Sequence, residues 1–162
     1  ADGVAATILR RSDSDWSFRF RSRADAADLC AVPADGYRLY AQPSDHLATN
    51  GVHRFTSYAR DLNRIGYPIC RDLLAALPLD ALRRVFFHGH HHTVWNAMLA
   101  EVGADAALNR WNTYPRIGNL ASACVPVALK MAMEAGDVQR GETVASLVGS
   151  GGMSFSTMLF TL

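Results

Sequence analysis

The chain has little net charge, few cysteines and no long apolar run, and each of these shortages closes off a class of function. Its formal net charge is +1, far from the strongly basic balance of a nucleic-acid-binding face. No apolar stretch approaches the roughly 20 residues that cross a bilayer, and the start lacks a charged-then-apolar signal peptide. Neither nucleic acid nor a membrane is therefore expected as a partner. Cys30, Cys70 and Cys124 show neither paired nor CxxC spacing, so they read as reduced thiols of a cytoplasmic protein. An initiator Met is absent and an apolar run begins almost at Ala1, which suggests a piece of a longer polypeptide. What is present fits one packed domain: 162 residues, 49% hydrophobic and 19% charged.

Periodicity divides the chain into strands and helices. "GVAATIL" (3–9) has the length and bulk of a buried strand, and "DWSFRFRS" (15–22) alternates Trp16, Phe18 and Phe20 against Ser17, Arg19 and Arg21. The two are expected to pair through the polar turn between them. Residues 24–48 read as loop, and 49–77 as helix, kinked or split at Gly66 and Pro68. "RRVFFH" (83–88) is a short strand, residues 92–103 a helix ending at Gly103, and residues 120–136 a helix capped by Asn119 and stopped by Gly136. "TVASLVG" (143–149) and the segment after the "SGG" turn are the last strands. This order predicts an α/β fold with a mixed, mostly parallel sheet of about five strands flanked by helices. Sites in such sheets form at strand C-terminal ends, where "HGHHHTVWN" (88–96) places His88, His90, His91 and His92.

The four histidines admit a metal site, a catalytic group with bystanders, or an accident of composition. Zinc would need His88 and His92 on one helix turn, but Gly89 separates a strand end from a helix start and no third ligand has motif spacing. No metal is therefore expected, and His90, His91 and His92 read as helix-start residues.

Longer motifs point to a family. "GNLASACVPVAL" (118–129) and "GDVQRGETVASLVGSGGMSFSTMLFTL" (136–162) resemble the C-terminal end of the beta-ketoacyl-ACP synthase III family. "HGHH" stands in the place of the family's "HQAN", "ADGVAATIL" resembles its "GDGAGAVVL" strand, and "HLATNGVHRF" (46–55) resembles its "HLxMxGxxVF" stretch. The resemblance implies a thiolase-like fold of two similar halves, of which residues 1–162 are the C-terminal one. The nucleophilic cysteine belongs to the other half, and Cys124 reads as a small buried hydrophobe.

Carried over residue by residue, the resemblance implies that His88 and Asn119 hold a thioester oxygen as it gains negative charge. The backbone N–H near Gly151 would serve the oxyanion on an acyl-cysteine. Gly51, Phe55 and His91 are the implied substrate-binding residues. No tightly bound cofactor is implied; coenzyme A or a phosphopantetheine thioester would be substrate. Implied partners are the N-terminal half, acyl-CoA or an acyl carrier protein, and a second copy of the whole enzyme in a dimer. Departures from the pattern are Gly89, His90 and His91 for Gln-Ala-Asn, Val52 for a polar residue, and Glu101 where a lysine is expected. The basic carrier-protein face is mostly gone, so a specialised acyltransferase or condensing enzyme of secondary metabolism fits as well as fatty-acid initiation. A non-catalytic half acting as a structural partner is the alternative.

Overall fold

Central strands buried on both faces set the architecture of the computed structural model, which describes residues 4–8, 11, 13–31, 56–57 and 59–162. The elements are β1 (Ser17–Ser22), β2 (Cys30–Ala31), β3 (Thr56–Ser57), α1 (Ala59–Ala75), β4 (Arg84–Phe87), α2 (His92–Glu101), α3 (Tyr114–Ile117), α4 (Cys124–Glu134), β5 (Thr143–Ser150) and β6 (Ser154–Thr161). In β4, Val85 and Phe87 face one side of the sheet and Phe86 the other, as the two-residue period of a strand dictates. The first side packs on Cys70, Leu73 and Leu74 of α1 and on Trp95, Met98 and Leu99 of α2. The second packs on Ala128 and Ala132 of α4, with Val138, Val144 and Phe160 completing that core. The result is three layers, helix–sheet–helix. Full burial of side chains such as Leu74, Leu99 and Leu147 contributes about 1.5–3 kcal/mol each.

The main sheet has four strands in the order β1-β6-β5-β4, and β2 and β3 form a separate two-stranded ribbon. The sheet is mixed, as expected, but antiparallel pairing predominates among the described residues. Only β4 and β5 run parallel; β5–β6, β1–β6 and β2–β3 are antiparallel. The expectation of a mostly parallel sheet fails because Ser150 pairs with Ser154, and so tight a turn can join only antiparallel strands. The parallel pair β4–β5 has the long helical crossover that it requires.

A second correction concerns the N-terminal run. Residues 4–8 form no strand, and Val4 and Ile8 are 96% and 90% exposed. β1 pairs instead with β6, from Ser17 opposite Leu159 to Ser22 opposite Ser154. An apolar run becomes a strand only where a partner edge and a covering layer are available, and no described residue supplies them here.

Helix α1 also departs from expectation, since it runs unbroken through Gly66 and Pro68. Gly66 is there for space: a Cβ would lie 3.0 Å from Cζ of Phe155. Helices α2 and α4 end as their sequences predict, with Gly103 and Gly136 at φ 76° and 69° just past each one. Among the described residues no helix is long and apolar enough to cross a membrane.

Candidate active site

Because β4 and β5 are parallel, their C-terminal ends meet at one edge of the sheet. His88 extends the ladder there by donating its backbone N–H to the carbonyl of Leu147 at 2.9 Å. The carbonyl of His88 accepts from Nε1 of Trp95 at 3.1 Å. Trp95 is buried and stacks on Phe87 with ring centroids 4.8 Å apart. The His88 backbone is thus fixed by the sheet and by α2, while its imidazole is half-buried. Burial lowers the His88 pKa, and the neighbouring His90 lowers it further, so the ring is neutral at pH 7 and offers one N–H donor.

Gly89 turns the chain away from the strand. It is buried, and a Cβ there would lie 2.5 Å from Oδ1 of Asn119 and 2.6 Å from Sγ of Cys124. The corner next to His88 therefore rests directly on the Asn119 side chain. Sequence reasoning misses this glycine as a site residue; its one signal is that it is the sole non-histidine inside "HGHHH".

Asn119 is exposed, but its oxygen is not free. Oδ1 accepts the backbone N–H of Ala121 at 2.7 Å and the thiol of Cys124 at 3.5 Å. A backbone N–H can only donate, so the carboxamide atom facing it must be the oxygen. The amide nitrogen has no partner among the described residues. Asn119 does not cap α4 directly, as the sequence suggests. It closes a turn before residues Ala121–Ala123, and the helix starts at Cys124. Ala121 adopts φ 50°, a left-handed conformation that costs a non-glycine residue free energy.

The other histidines begin α2. His91 is its N-cap: Nδ1 accepts from the Thr93 N–H at 3.4 Å and lies 2.8 Å from the Thr93 hydroxyl. Its ring sits edge-on to Tyr114 at 5.7 Å. Nδ1 of His92 is buried without a partner among the described residues. Among the described residues no group of three or more His, Cys, Asp or Glu side chains could hold a metal ion.

Gly151 lies exposed at the turn between β5 and β6, at the same edge as His88. The turn is anchored by Gly152, which donates to the Cys30 carbonyl at 3.0 Å, and by Met153, whose carbonyl accepts from Arg23 at 3.0 Å. Gly89, next to His88, thus lies against the Asn119 side chain, and Gly151 lies in the turn at the same sheet edge. Gly51 and Phe55 lie outside the described residues.

Residues 74–162, more than half of the chain, match the family described as 3-oxoacyl-[acyl-carrier-protein (ACP)] synthase III C terminal. The chain belongs to this family. A curated relative, the beta-ketoacyl-[acyl-carrier-protein] synthase III of Synechococcus elongatus, is 26% identical over 177 residues, covering 98% of this chain and 50% of the relative. Among solved structures, the 3-oxoacyl-[acyl-carrier-protein] synthase III of Aquifex aeolicus superposes with TM-score 0.69 at 17% identity, over 96% of this chain and 47% of that one. The Thermus thermophilus enzyme gives 0.72 at 19% identity, over 94% and 47%. OleA of Xanthomonas campestris gives 0.66 at 18% identity, over 88% and 38%. These structural likenesses establish the thiolase-like fold. This synthase III C-terminal domain spans about half the length of the curated relatives it matches.

Proposed function

We propose that this domain is the C-terminal half of an acyl-transferring condensing enzyme, with His88 and Asn119 as paired donors to a thioester oxygen. The observation that carries the reading is the convergence of the His88–Gly89 corner on Asn119 at the C-terminal ends of β4 and β5. When a malonyl thioester loses CO2, the electron pair of the breaking C–C bond moves onto the thioester carbonyl oxygen. Two neutral N–H donors, the His88 imidazole and the Asn119 Nδ2, suit that developing enolate. Its carbon then attacks the carbonyl of an acyl-cysteine, the oxyanion there is held by the backbone at Gly151, and the cysteine thiolate departs. Donors fixed in advance in a dry site lower such barriers by several kcal/mol.

The cysteine that forms the acyl-enzyme belongs in this reading to an N-terminal thiolase half, either upstream in the same polypeptide or in a companion chain. The described residues offer no activated thiol that could form it. Cys70 is buried, with its pKa pushed up to about 12 by burial, and Cys124 is fully buried. Trp16, just before β1, and Phe18 and Phe20 within it lie exposed at 42%, 51% and 66%. An aromatic row of that kind favours cover by a second half.

Helix α2 carries no Lys or Arg, and Glu101 accepts from the Tyr67 hydroxyl at 2.9 Å. We assign a coenzyme A thioester as the preferred acyl donor over an acidic carrier protein, with Gly51, Phe55 and His91 on the pantetheine path. Whole enzymes are expected to pair as dimers in the cytoplasm and to serve fatty-acid or secondary metabolism.

The test is paired substitution in the protein with both halves present. His88→Ala should slow acyl transfer about a hundredfold or more, as loss of an oxyanion donor does, while His92→Ala should change it little. An active His88→Ala beside a dead His92→Ala would overturn the assignment.

A further inference from the structure

The Asn119 carboxamide has its oxygen doubly occupied and its nitrogen open, an arrangement that depends on two other residues. We propose that Gly89 and Cys124 are positioning residues for Asn119: together they lock its carboxamide in one orientation, with Oδ1 held and Nδ2 left to a ligand. The proposal rests on the reading of Asn119 as a donor to substrate, and adds to it the residues that orient the donor.

Cys124 acts through two contacts of opposite sense. Its Sγ accepts the backbone N–H of Leu120 at 3.1 Å, and its S–H points to Oδ1 of Asn119 at 3.5 Å. The accepted bond fixes where the sulfur sits, and the Ala121 N–H, which can only donate, identifies the near carboxamide atom as oxygen. A flipped Asn119 would set its NH2 group against the Ala121 N–H, now 2.7 Å from Oδ1. Losing that bond makes the flipped rotamer unfavourable, because it leaves two donors facing each other unpaired. A fully buried thiol is also shielded from competing water.

Gly89 supplies a wall against the same two groups. Its Cα side is so close that an added methyl would meet Oδ1 at 2.5 Å, Sγ at 2.6 Å and Cγ of Asn119 at 2.8 Å. No real side chain tolerates such distances. The glycine thus serves closeness rather than unusual backbone geometry, and any larger residue must push the carboxamide and the thiol away together. Asn119 Oδ1 thus meets the Gly89 backbone, the Cys124 thiol and the Ala121 N–H in one close-packed contact.

The experiment compares Cys124→Ala, Cys124→Ser and Gly89→Ala in the intact protein with its cysteine-bearing half, using malonyl-CoA as the probe thioester. The Asn119 side-chain amide resonances are recorded in parallel. Cys124→Ala should lower kcat about tenfold with KM within about twofold, the pattern of a group that acts only on the transition state. Cys124→Ser retains a donor and an acceptor and should restore kcat to within about threefold of the parent. Gly89→Ala should lose more than Cys124→Ala. In both damaged variants the Asn119 amide pair should shift and broaden, and in Cys124→Ser it should stay near its parent position. Unmoved Asn119 resonances in a folded Cys124→Ala protein would overturn the proposal, whatever happens to activity. If the resonances move but Asn119→Ala keeps full activity, the locking stands and it is the donor role of Asn119 that fails.

Discussion

The two ends of the β4–β5 pair treat their polar groups in opposite ways. At the start of β4, Arg84 donates Nε and Nη2 to the Asp137 carboxylate at 2.7 and 2.6 Å, and Arg83 donates Nε to the Asp137 carbonyl at 2.7 Å. Nε1 of Trp111 adds a further bond to the same carboxylate at 2.5 Å. At the other end, the Asn119 amide nitrogen and His92 Nδ1 lack partners among the described residues. Ala121 and Met153 there hold positive φ angles of 50° and 54°. Helix α4 joins the two ends, beginning beside Gly89 and stopping just before Asp137. Saturated polar groups at one end serve stability. Open groups and strained backbone at the other are tolerable where an arriving molecule can complete them.

The sharpest way to break this contrast is to exchange the effects of the two ends. Asp137→Ala strips a partner from an ion pair whose side chains are only 11% exposed. It should cost about 3–5 kcal/mol of unfolding free energy, the usual penalty for orphaning a largely buried charge. Asn119→Ala should cost less than about 1 kcal/mol yet reduce acyl transfer far more than Asp137→Ala does in protein that is still folded. Denaturant midpoints and initial rates measured on the same samples decide it; a larger stability loss from Asn119→Ala would remove the contrast.

Acid titration separates the ends next. Hydrogen bonds from Arg84, reinforced by Trp111, hold the Asp137 carboxyl below its ordinary value of 3.8. A carboxyl depressed in the folded state stabilises fully above its unfolded pKa and loses that contribution as pH falls through the lower folded one. His88 and His90 are lowered from 6.5, first by burial and second by a neighbouring imidazole. For them the unfolded chain takes up protons first, so stability declines as pH falls below 6.5 and levels off beneath the folded values. Asp137→Asn should therefore flatten the stability curve below about pH 4 and leave the decline below 6.5 in place. His88→Gln should leave the acid decline in place and weaken the one below 6.5, of which His90 keeps its share.

The smallest effect tests backbone strain. Ala121→Gly removes the cost of a left-handed alanine at φ 50° and should stabilise the protein by about 0.5–1 kcal/mol. Thermal unfolding measures it, and a lower Tm would show that the methyl group contributes packing that outweighs the strain.

Much of this architecture is legible in the sequence, for definite reasons. β4, β5, β6, α2 and α4 are read from apolar period and from their glycine stops, which are local signals. The long motifs around Asn119 and Gly151 point to the rim of the candidate site because they resemble a family in order and spacing. Strand pairing is less accessible: Trp16, Phe18 and Phe20 announce a strand, but nothing local says that its neighbour is β6 and not residues 3–9. The hold on Asn119 is hidden for the same reason. Gly89 and Cys124 stand far apart in sequence, and only folding reveals that they share one contact. The "HLATNGVHRF" resemblance, with Gly51 and Phe55, lies outside the described residues.

The parallel pairing of β4 with β5 also bears on how quickly the protein acquires its native state. β5 and β6 close through a short turn, a microsecond event for an isolated hairpin, whereas β4 must wait until residues 88–142 have been looped out and packed. Pairings so distant along the chain are the slow ones. Refolding should thus yield a protected β5–β6 hairpin early, and the neighbourhood of His88 and Asn119 only at the end. Newly made molecules would then pass through a stage that is folded by most spectroscopic measures yet still inert.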